Sequence, residues 1–296
     1  MLKKTEEKLK EKLAKIKEMY LKKIPLGQIT TELKIPRTTL GRFIQKQDFY
    51  NKEFSNSVTK ESLIKNGKLG NNKQAKHFSI LEDLSNTKTC YWLGFIAGDG
   101  NLSGKRIAIG LASKDFNHLQ KLKDFLQIKN KISVYKNTRQ TPGGKSPKER
   151  ESAFFRFTSK SFAEKLKSYG ITERKSGTLK ILEENLLNSR DFWRGHIDAN
   201  GWLRFFKMNN GKDETCSIGL CGSFFIIEQF YNFITNFICP IKNKIQAGIG
   251  TYLIVINGKN AYKIIHFFYH NSSEYLERKF LIYKQIAENL KEKYDK

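Results

Sequence analysis

The residue best placed to do chemistry is an aspartate in a segment that occurs twice. Asp99 lies in WLGFIAGDG (Trp92–Gly100), and the same pattern returns as WRGHIDANG (Trp193–Gly201). If each segment is a helix that ends at its last glycine, Asp99 lies at a helix C-terminus, where free carbonyl groups and the helix dipole add negative potential. A carboxylate beside free carbonyls is a hard-oxygen site that suits Mg²⁺. A single Gly-Asp-Gly is typical of a simple turn, but the recurrence of the whole segment indicates a site.

The two segments also carry small residues four positions apart, on one face of each predicted helix. Small residues at this spacing remove side-chain bulk and allow two helices to cross with their backbones close together. The last glycine of each segment lies where a helix C-terminus often takes the left-handed conformation, so we expect that conformation at Gly100 and Gly201. The small residues are Gly94, Gly98, Gly195 and Ala199.

The elements around the two segments repeat as well. IGLASKDF (from Ile109) returns as IGLCGSFF (from Ile218), and FRFTSKSFAEKL (from Phe155) returns as IVINGKNAYKII (from Ile254). Three matched blocks in the same order indicate a duplication. Each unit is predicted to run helix, two strands, helix, two strands, helix, with helices on one face of an antiparallel sheet and a basic, polar face opposite. Strand alternation predicts these inward side chains: Ile107, Ile109, Leu111, Ile132, Val134, Phe155, Phe157, Leu203 and Phe205.

The N-terminal residues 1–47 are predicted to form a small helical module. Apolar residues recur at helical spacing, and Pro36 separates two short helices, the second of which is basic and rich in hydroxyl groups. This pattern favours a helix-turn-helix that binds DNA, although a helical hairpin that only packs would give a similar pattern. Residues 48–88 are predicted to be a basic linker, either solvated or lying along phosphates. The candidate groove contacts are Arg37, Thr38, Thr39 and Arg42.

The charge of the chain points to a polyanionic partner. Among 296 residues, 54 Lys and Arg stand against 29 Asp and Glu, which gives a formal net charge of +25. Such a surplus favours nucleic acid as the partner, and a hydrophobic content of 39% is enough for a packed core rather than a disordered tail. The four cysteines form no CxxC pair, and the sequence shows neither a signal peptide nor a membrane span. We therefore expect an intracellular protein in the cytoplasm, the nucleoid or an organelle matrix.

The repeated segment resembles the motif of the LAGLIDADG homing endonucleases, in the single-chain form with two fused repeats. The resemblance covers roughly residues 91–296 and extends to ASKDF, to SYGITERKSGTLKI (Ser168–Ile181) and to YLERKFLIYKQI (Tyr275–Ile286). It implies an α+β fold, a pseudo-twofold pair of αββαββα units with saddle-shaped antiparallel sheets that straddle DNA, preceded by the small all-α module. The implied repeats are residues 89–185 and 186–296.

The resemblance also implies roles for individual residues. The acidic residue in the eighth motif position binds metal in that family, which implies Asp99 as a ligand of Mg²⁺ or another divalent cation, helped by the carbonyls of Gly98 and Ala199. Two metals about 3.5–4 Å apart would promote phosphodiester hydrolysis. The family also has a basic residue near the end of the fourth strand of each repeat, which implies Lys160 and Lys259, either as catalytic groups or as phosphate contacts.

The second segment departs from the family pattern in the eighth position. Asn200 stands there, and a neutral amide is a poorer Mg²⁺ ligand than a carboxylate. A natural nickase or weakened enzyme, a protein kept for binding only, and a deliberately inactivated enzyme all fit this departure. Asp198, two residues earlier, is predicted to point away from the metal.

We therefore expect a monomeric, intron- or intein-borne endonuclease that recognises a long double-stranded DNA site and hydrolyses it with Mg²⁺. The alternatives are a non-catalytic LAGLIDADG and helix-turn-helix transcriptional regulator, and a maturase that binds intron RNA. Retention of Asp99 disfavours the regulator, and a major-groove-reading module disfavours the maturase. Base contacts are expected from outward strand residues and phosphate contacts mostly from lysines. The candidate contacts in the repeats are Arg106, Lys131, Ser133, Tyr135, Arg139, Arg156, Arg204 and Lys207.

Overall fold

A computed structural model describes residues 9–22, 24, 26–50, 79–139, 148–208 and 213–294 of the chain. The side chains of residues 137–139 and 148–150, within two strands, are outside that description. The chain divides into two compact units, Met1–Gln74 and Ala75–Lys296. None of the helices in the described ranges combines the length and apolar character that a membrane span needs.

The described part of the first unit includes three short helices around a small apolar core. The helices span Leu13–Leu21, Leu26–Leu33 and Arg37–Ile44. The second ends before Lys34, which has a positive φ of 55°, and Pro36 precedes the third, so the connection is as short as the sequence predicts. Buried residues from each helix form the core, among them Ile16, Ile29, Leu33, Leu40 and Ile44.

The second unit consists of two copies of the same order of elements, as the sequence predicts. Each copy begins with a motif helix, which ends where the first strand of a sheet begins. Each motif helix starts at a polar N-cap: Asn86 accepts a hydrogen bond from the backbone of Lys88, and Ser189 accepts one from Phe192. The first copy comprises the first motif helix Thr87–Asp99, β1 Gly100–Ser103, β2 Arg106–Ala112, helix Phe116–Phe125, β3 Ile132–Arg139, β4 Lys148–Thr158 and helix Lys160–Ser168.

The second copy adds a long helix at its end. It comprises the second motif helix Arg190–Asn200, β5 Gly201–Met208, β6 Asp213–Gly222, helix Phe224–Phe237, β7 Gln246–Gly248, β8 Thr251–Asn257, helix Gly258–Tyr269 and helix Glu277–Tyr294. A short helix, Glu184–Leu187, precedes the second motif helix. Thr87 and Lys88, placed in the linker by the sequence, belong to the first motif helix, and Leu81 is fully buried in the core of this unit.

The two sheets have the same topology. Each has four antiparallel strands, in the orders β1-β2-β4-β3 and β5-β6-β8-β7. The registers of the first strand pair differ by two residues, because Gly100 pairs with Ile109 in the first sheet, whereas Gly201 pairs with Leu220, which matches Leu111 in the repeat alignment. This architecture confirms the predicted α+β fold with paired αββαββα units.

One face of each sheet packs against helices, as the alternation predicts. Ile107, Ile109, Phe155 and Phe157 are buried, and Leu203 is buried in the second sheet. Val134 points to the predicted face but is not buried there, because its side chain is 50% exposed. Val134 pairs with the buried Ala153, so it lies on the inner face, but β3 is the edge strand and the core does not cover it there.

Candidate functional site

The two motif helices cross with their backbones almost in contact. A Cβ added at Gly94 would lie 1.9 Å from the Phe192 carbonyl oxygen, and one added at Gly195 would lie 2.0 Å from the Tyr91 carbonyl oxygen. These distances are far below any van der Waals contact, so only glycine fits at either position. The predicted close crossing is therefore confirmed, and it is symmetric about the pair of glycines.

The crossing brings the ends of the helices together. A Cβ added at Gly98 would lie 2.3 Å from the Cβ of Ala199 and 3.4 Å from the amide carbon of Asn200. Asn200, in the eighth position of the second motif, therefore lies against Gly98, the residue before Asp99, where the two helices end and the two sheets begin. The structure thus assembles one site from residues about 100 positions apart in the sequence.

The helices end without the left-handed glycine that the sequence suggests. Gly100 has φ −71° and Gly201 has φ −99°, both ordinary for any residue, so that prediction was wrong. The reason for glycine is steric: a Cβ at Gly100 would lie 2.4 Å from the Ile96 carbonyl oxygen, and one at Gly201 would lie 2.8 Å from the Gly219 carbonyl oxygen. At each glycine the backbone passes directly from the motif helix into an extended strand, so Asp99 and Asn200 are each the last residue of their helix.

Asp99 has an unusual electrostatic environment. Burial raises the pKa of its half-buried carboxyl group to about 6, because desolvation disfavours the charged form. The positive charges of Lys279, Lys175 and Arg278 oppose this shift, and the negative charge of Asp115 adds to it. Asp115 is itself buried and accepts a hydrogen bond from Arg278 at 3.1 Å. The carboxylate at the helix end is therefore surrounded by cationic groups from distant parts of the chain.

Two lysines bind the carbonyl groups at the helix ends. Lys175 donates to the Gly98 carbonyl oxygen at 2.7 Å, and Lys279 donates to the carbonyl oxygens of Asp198 at 2.8 Å and of Gly201 at 2.7 Å. Burial lowers the pKa of both ammonium groups to about 8. These lysines neutralise the negative ends of the two helix dipoles.

The sequence analysis missed both lysines, although a signal was present. Each is the last residue of the tripeptide Glu-Arg-Lys, which occurs at residues 173–175 and again at 277–279, after the final helix-forming block of each repeat. The matched tripeptide is a fourth repeated block. Its spacing gives no hint that the lysines fold back onto the motif helices, because the contacts join residues 77 to 81 positions apart.

Asp198 has the structural role that its position predicts. It accepts hydrogen bonds from Tyr91 at 2.7 Å, from Tyr269 at 2.6 Å and from the backbone N–H of Leu276 at 2.7 Å. The side chain is fully buried, which raises its pKa. All three partners come from outside its own helix, so Asp198 ties the first motif helix and the C-terminal segment to the second motif helix.

Lys160 and Lys259, proposed from the family resemblance, lie elsewhere. Both occupy the first turn of the helix that follows the fourth strand of their repeat, and both are exposed. The side chain of Lys160 is 83% exposed and pairs with Glu164 at 3.6 Å. The structure therefore places Lys175 and Lys279, rather than these two residues, at the ends of the motif helices.

The donor atoms fit one hard divalent cation better than a matched pair. Asp99 supplies a carboxylate, Asn200 supplies a neutral amide, and Gly98 and Ala199 supply carbonyl oxygens. Within the described ranges, no three His, Cys, Asp or Glu side chains gather closely enough to hold a metal. In addition, Lys175 occupies the Gly98 carbonyl that the sequence assigns to the metal. A cation at Asp99 would therefore take this carbonyl only if the ammonium group moved away.

The outer face of the first sheet carries several of the predicted DNA contacts. Arg106, Lys131 and Arg156 are exposed, Tyr135 is 45% exposed, and Ser133 is half-buried. The side chain of Arg139 is not among those that the structure describes. This face thus has the predicted basic and polar character.

The outer face of the second sheet is less basic than predicted. Arg204 is exposed on the outer face as expected, whereas Lys207 shares the opposite face with the buried Leu203 by strand alternation and pairs with Glu214 at 2.9 Å. The outer face combines polar side chains, such as Thr215 and Ser217, with a set of apolar ones, among them Trp202, which covers Gly219. The apolar side chains of this face are Trp202, Phe206, Met208, Leu253 and Val255.

Three predicted groove contacts of the first unit lie in the first turn of its third helix, and the fourth, Arg42, lies in the last turn. Arg37, Thr38 and Arg42 are exposed, and Thr39 is half-buried. The opposite side of that helix faces the core through Leu40 and Ile44. These residues are accessible to a partner, and their binding of DNA remains a prediction.

Comparisons with known proteins give neighbours by structure only. No protein-family model matches the chain, and no curated protein sequence is similar to it. Similar solved structures include the LAGLIDADG meganuclease I-AabMI bound to uncleaved DNA, which is 14% identical with a TM-score of 0.47, covering 70% of this chain and 92% of that one. The LAGLIDADG homing endonuclease I-GzeII in complex with its DNA target is 12% identical with a TM-score of 0.45, covering 70% and 91%.

A second kind of neighbour is also found. The N-terminal LAGLIDADG domain of DUF199/WhiA is 17% identical with a TM-score of 0.38, covering 69% of this chain and 93% of that one. The solved structures to which the chain is similar thus include LAGLIDADG proteins of both kinds.

Proposed function

We propose that this protein binds a long double-stranded DNA site and hydrolyses a phosphodiester bond in one strand, with a divalent cation held by Asp99. The observation that carries the proposal is the crossing of the two motif helices, which brings the helix end that carries Asp99 against the helix end that carries Asn200, where two matched sheets begin. A net charge of +25 and the basic outer face of the first sheet support a polyanionic partner. We infer a monomer, because both halves of the site come from one chain. We also propose that the protein acts inside the cell, where its DNA partner lies.

The residues at the helix ends suit phosphodiester hydrolysis. Asp99 would hold the cation together with nearby carbonyl oxygens, and the bound cation would supply Lewis-acid stabilisation of the charge that develops on the phosphate. Lys175 and Lys279 lie within hydrogen-bonding distance of the same helix ends. Their ammonium groups add positive charge where a phosphate would gain negative charge.

The two halves of the site differ in charge, which favours cutting of one strand. On the first side a carboxylate is available, whereas on the second side Asn200 offers only an amide. A carboxylate binds Mg²⁺ far better than an amide does, so only the first side is equipped for hydrolysis. We therefore expect a nick rather than a double-strand break.

A non-catalytic regulator is the second candidate function. Two observations favour it: the neutral Asn200, and the ammonium group of Lys175 on the carbonyl that a metal would use. Such a protein would bind the same kind of DNA and leave both strands intact.

One experiment separates these functions. Duplexes that bind the protein are selected from a random pool, and the best target is incubated with Mg²⁺ and with EDTA. Mg²⁺-dependent nicking that is lost in Asp99→Asn supports the nuclease, whereas tight binding with no product at any Mg²⁺ concentration supports the regulator. Preference for structured RNA over every selected duplex in competition would instead support the maturase.

A further inference from the structure

One arginine on the outer face of the first sheet is held rigidly by aromatic rings. The guanidinium carbon of Arg156 lies 4.3 Å from the ring centre of Phe154 and 5.3 Å from that of Tyr135. Its Nη1 donates a hydrogen bond to the Tyr135 hydroxyl at 3.3 Å. Two cation–π contacts and one hydrogen bond restrict a side chain that would otherwise be free to rotate. We call this group, Tyr135, Phe154 and Arg156, the arginine clamp.

The strands beneath the clamp fix it in place. Phe154 pairs directly with Gly110 on β2, and a Cβ at Gly110 would lie 2.5 Å from the phenyl ring. The ring therefore rests on the backbone where a side chain is missing. The carbonyl oxygen of Arg156 accepts a hydrogen bond from Asn130 at 2.9 Å, which fixes the backbone at the clamp.

The charge of the clamp is available to a partner. Arg156 is exposed, and the ion pairs among the described residues do not include it. An arginine that is already fixed loses little side-chain entropy when it binds a ligand. Its planar fork of donors matches the paired O6 and N7 acceptors that guanine presents in the major groove.

The second sheet has no counterpart to the clamp. By the repeat alignment Arg156 corresponds to Val255 and Phe154 corresponds to Leu253, while the matched Gly219 is covered by Trp202 from β5. The side chains of Val255 and Leu253 cannot donate hydrogen bonds to guanine. The two sheets are therefore chemically unequal at matched positions.

We propose that the arginine clamp reads one guanine in the major groove of the half-site bound by the first sheet, with no guanine required at the matched position of the other half-site. Arg156 makes the contact, and Phe154 and Tyr135 act as positioning residues. The proposal deepens the proposed function and rests on it, since it assumes that this face binds duplex DNA.

The test has two parts: the target sequences that wild type and its variants select are compared, and binding to a guanine target is compared with binding to the same target with one ring atom of that base replaced. Duplexes are selected with wild-type protein, with Arg156→Lys and with Arg106→Lys, which alters an exposed arginine on the same face outside the clamp. Wild type should enrich one guanine that Arg156→Lys enriches less strongly, because an ammonium group lacks the planar fork of donors, and that Arg106→Lys enriches as wild type does. Replacing that guanine with 7-deazaguanine removes the N7 acceptor and should weaken wild-type binding about 10-fold.

Variants of the clamp residues should differ from wild type in their affinity for guanine targets. Arg156→Lys should prefer guanine over 7-deazaguanine less strongly than wild type does. Phe154→Leu should lose roughly 5-fold in affinity for the guanine target, and its thermal stability is measured in parallel. Rescue of guanine preference by Phe154→Tyr would show that the ring positions the arginine.

Three results would overturn the inference. A uniform loss of affinity across all sequences in Arg156→Lys would show a phosphate contact, and equal binding of 7-deazaguanine by wild type would exclude an N7 contact. Enrichment of guanine at both matched positions would contradict the inequality of the sheets. Failure to enrich any duplex would instead contradict the proposed function itself.

Discussion

The substitution Gly195→Ala tests the contact that assembles the site. The added Cβ would lie 2.0 Å from the Tyr91 carbonyl oxygen and 2.9 Å from the Phe95 backbone nitrogen. Both neighbours are backbone atoms, so relief requires the helices to separate by about 1 Å, which also disturbs the reciprocal contact at Gly94. Overpacking of a core typically costs about 1–3 kcal/mol, and a rigid backbone partner places this case at about 3 kcal/mol or more.

The assay is thermal unfolding of the full chain in metal-free buffer, followed by circular dichroism. For a unit of this size, 1 kcal/mol corresponds to about 2–4 °C, so Tm should fall by about 6–12 °C. Gly177→Ala is the matched control, because an added Cβ there meets nothing within 4 Å and its φ is not positive. A Tm for Gly195→Ala within 1 °C of that control would refute the close crossing.

Three further predictions concern the carboxyl groups of Asp99 and Asp198 and the basic outer face of the first sheet. Burial raises the folded-state pKa of Asp99 from 3.8 to about 6, so the charged carboxylate lowers the stability of the fold increasingly as the pH rises from about 4 to 6, and by a constant amount above that. Asp99→Asn should therefore be more stable than wild type by about 2–3 kcal/mol at pH 7.5 and equally stable near pH 4. Equal Tm values of the two proteins at both pH values would contradict the burial of this carboxyl group. Asp198→Asn replaces two acceptor oxygens by one, which leaves a buried donor without its acceptor, and should cost about 1–3 kcal/mol in chemical denaturation, whereas no loss of stability would exclude the network. Binding of any selected duplex should weaken steeply with salt, with a log–log slope of about −0.9 per neutralised phosphate in titrations from 50 to 200 mM, and a flat slope would argue against phosphate contacts by the basic face.

Local patterns in the sequence predict the scaffold of the site. The paired small residues predict the helix crossing, because the steric requirement acts at fixed spacing within each helix. The alternation in β2 and β4 predicts the buried face, because strand geometry alone decides it. Val134 breaks this rule, since the sequence does not show that its strand lies at an edge beyond the covering helices.

The parts that the sequence does not predict depend on contacts between distant residues. Lys175 and Lys279 bind the ends of the motif helices across loops that no periodicity describes. The conformation of Gly100 depends on the Ile96 carbonyl behind it rather than on a left-handed turn. The apolar part of the second sheet's outer face depends on Trp202 folding over Gly219, which only the strand register reveals.

The central claim is that the site has one charged half, and strand-resolved cleavage tests it most directly. The selected duplex is labelled differently on each strand and incubated with Mg²⁺ and with wild type, Asp99→Asn or Asn200→Asp. Wild type should cut one strand, Asp99→Asn neither, and Asn200→Asp both, because the new carboxylate supplies the missing ligand. Equal cutting of both strands by wild type, or cutting that survives Asp99→Asn, would contradict the account.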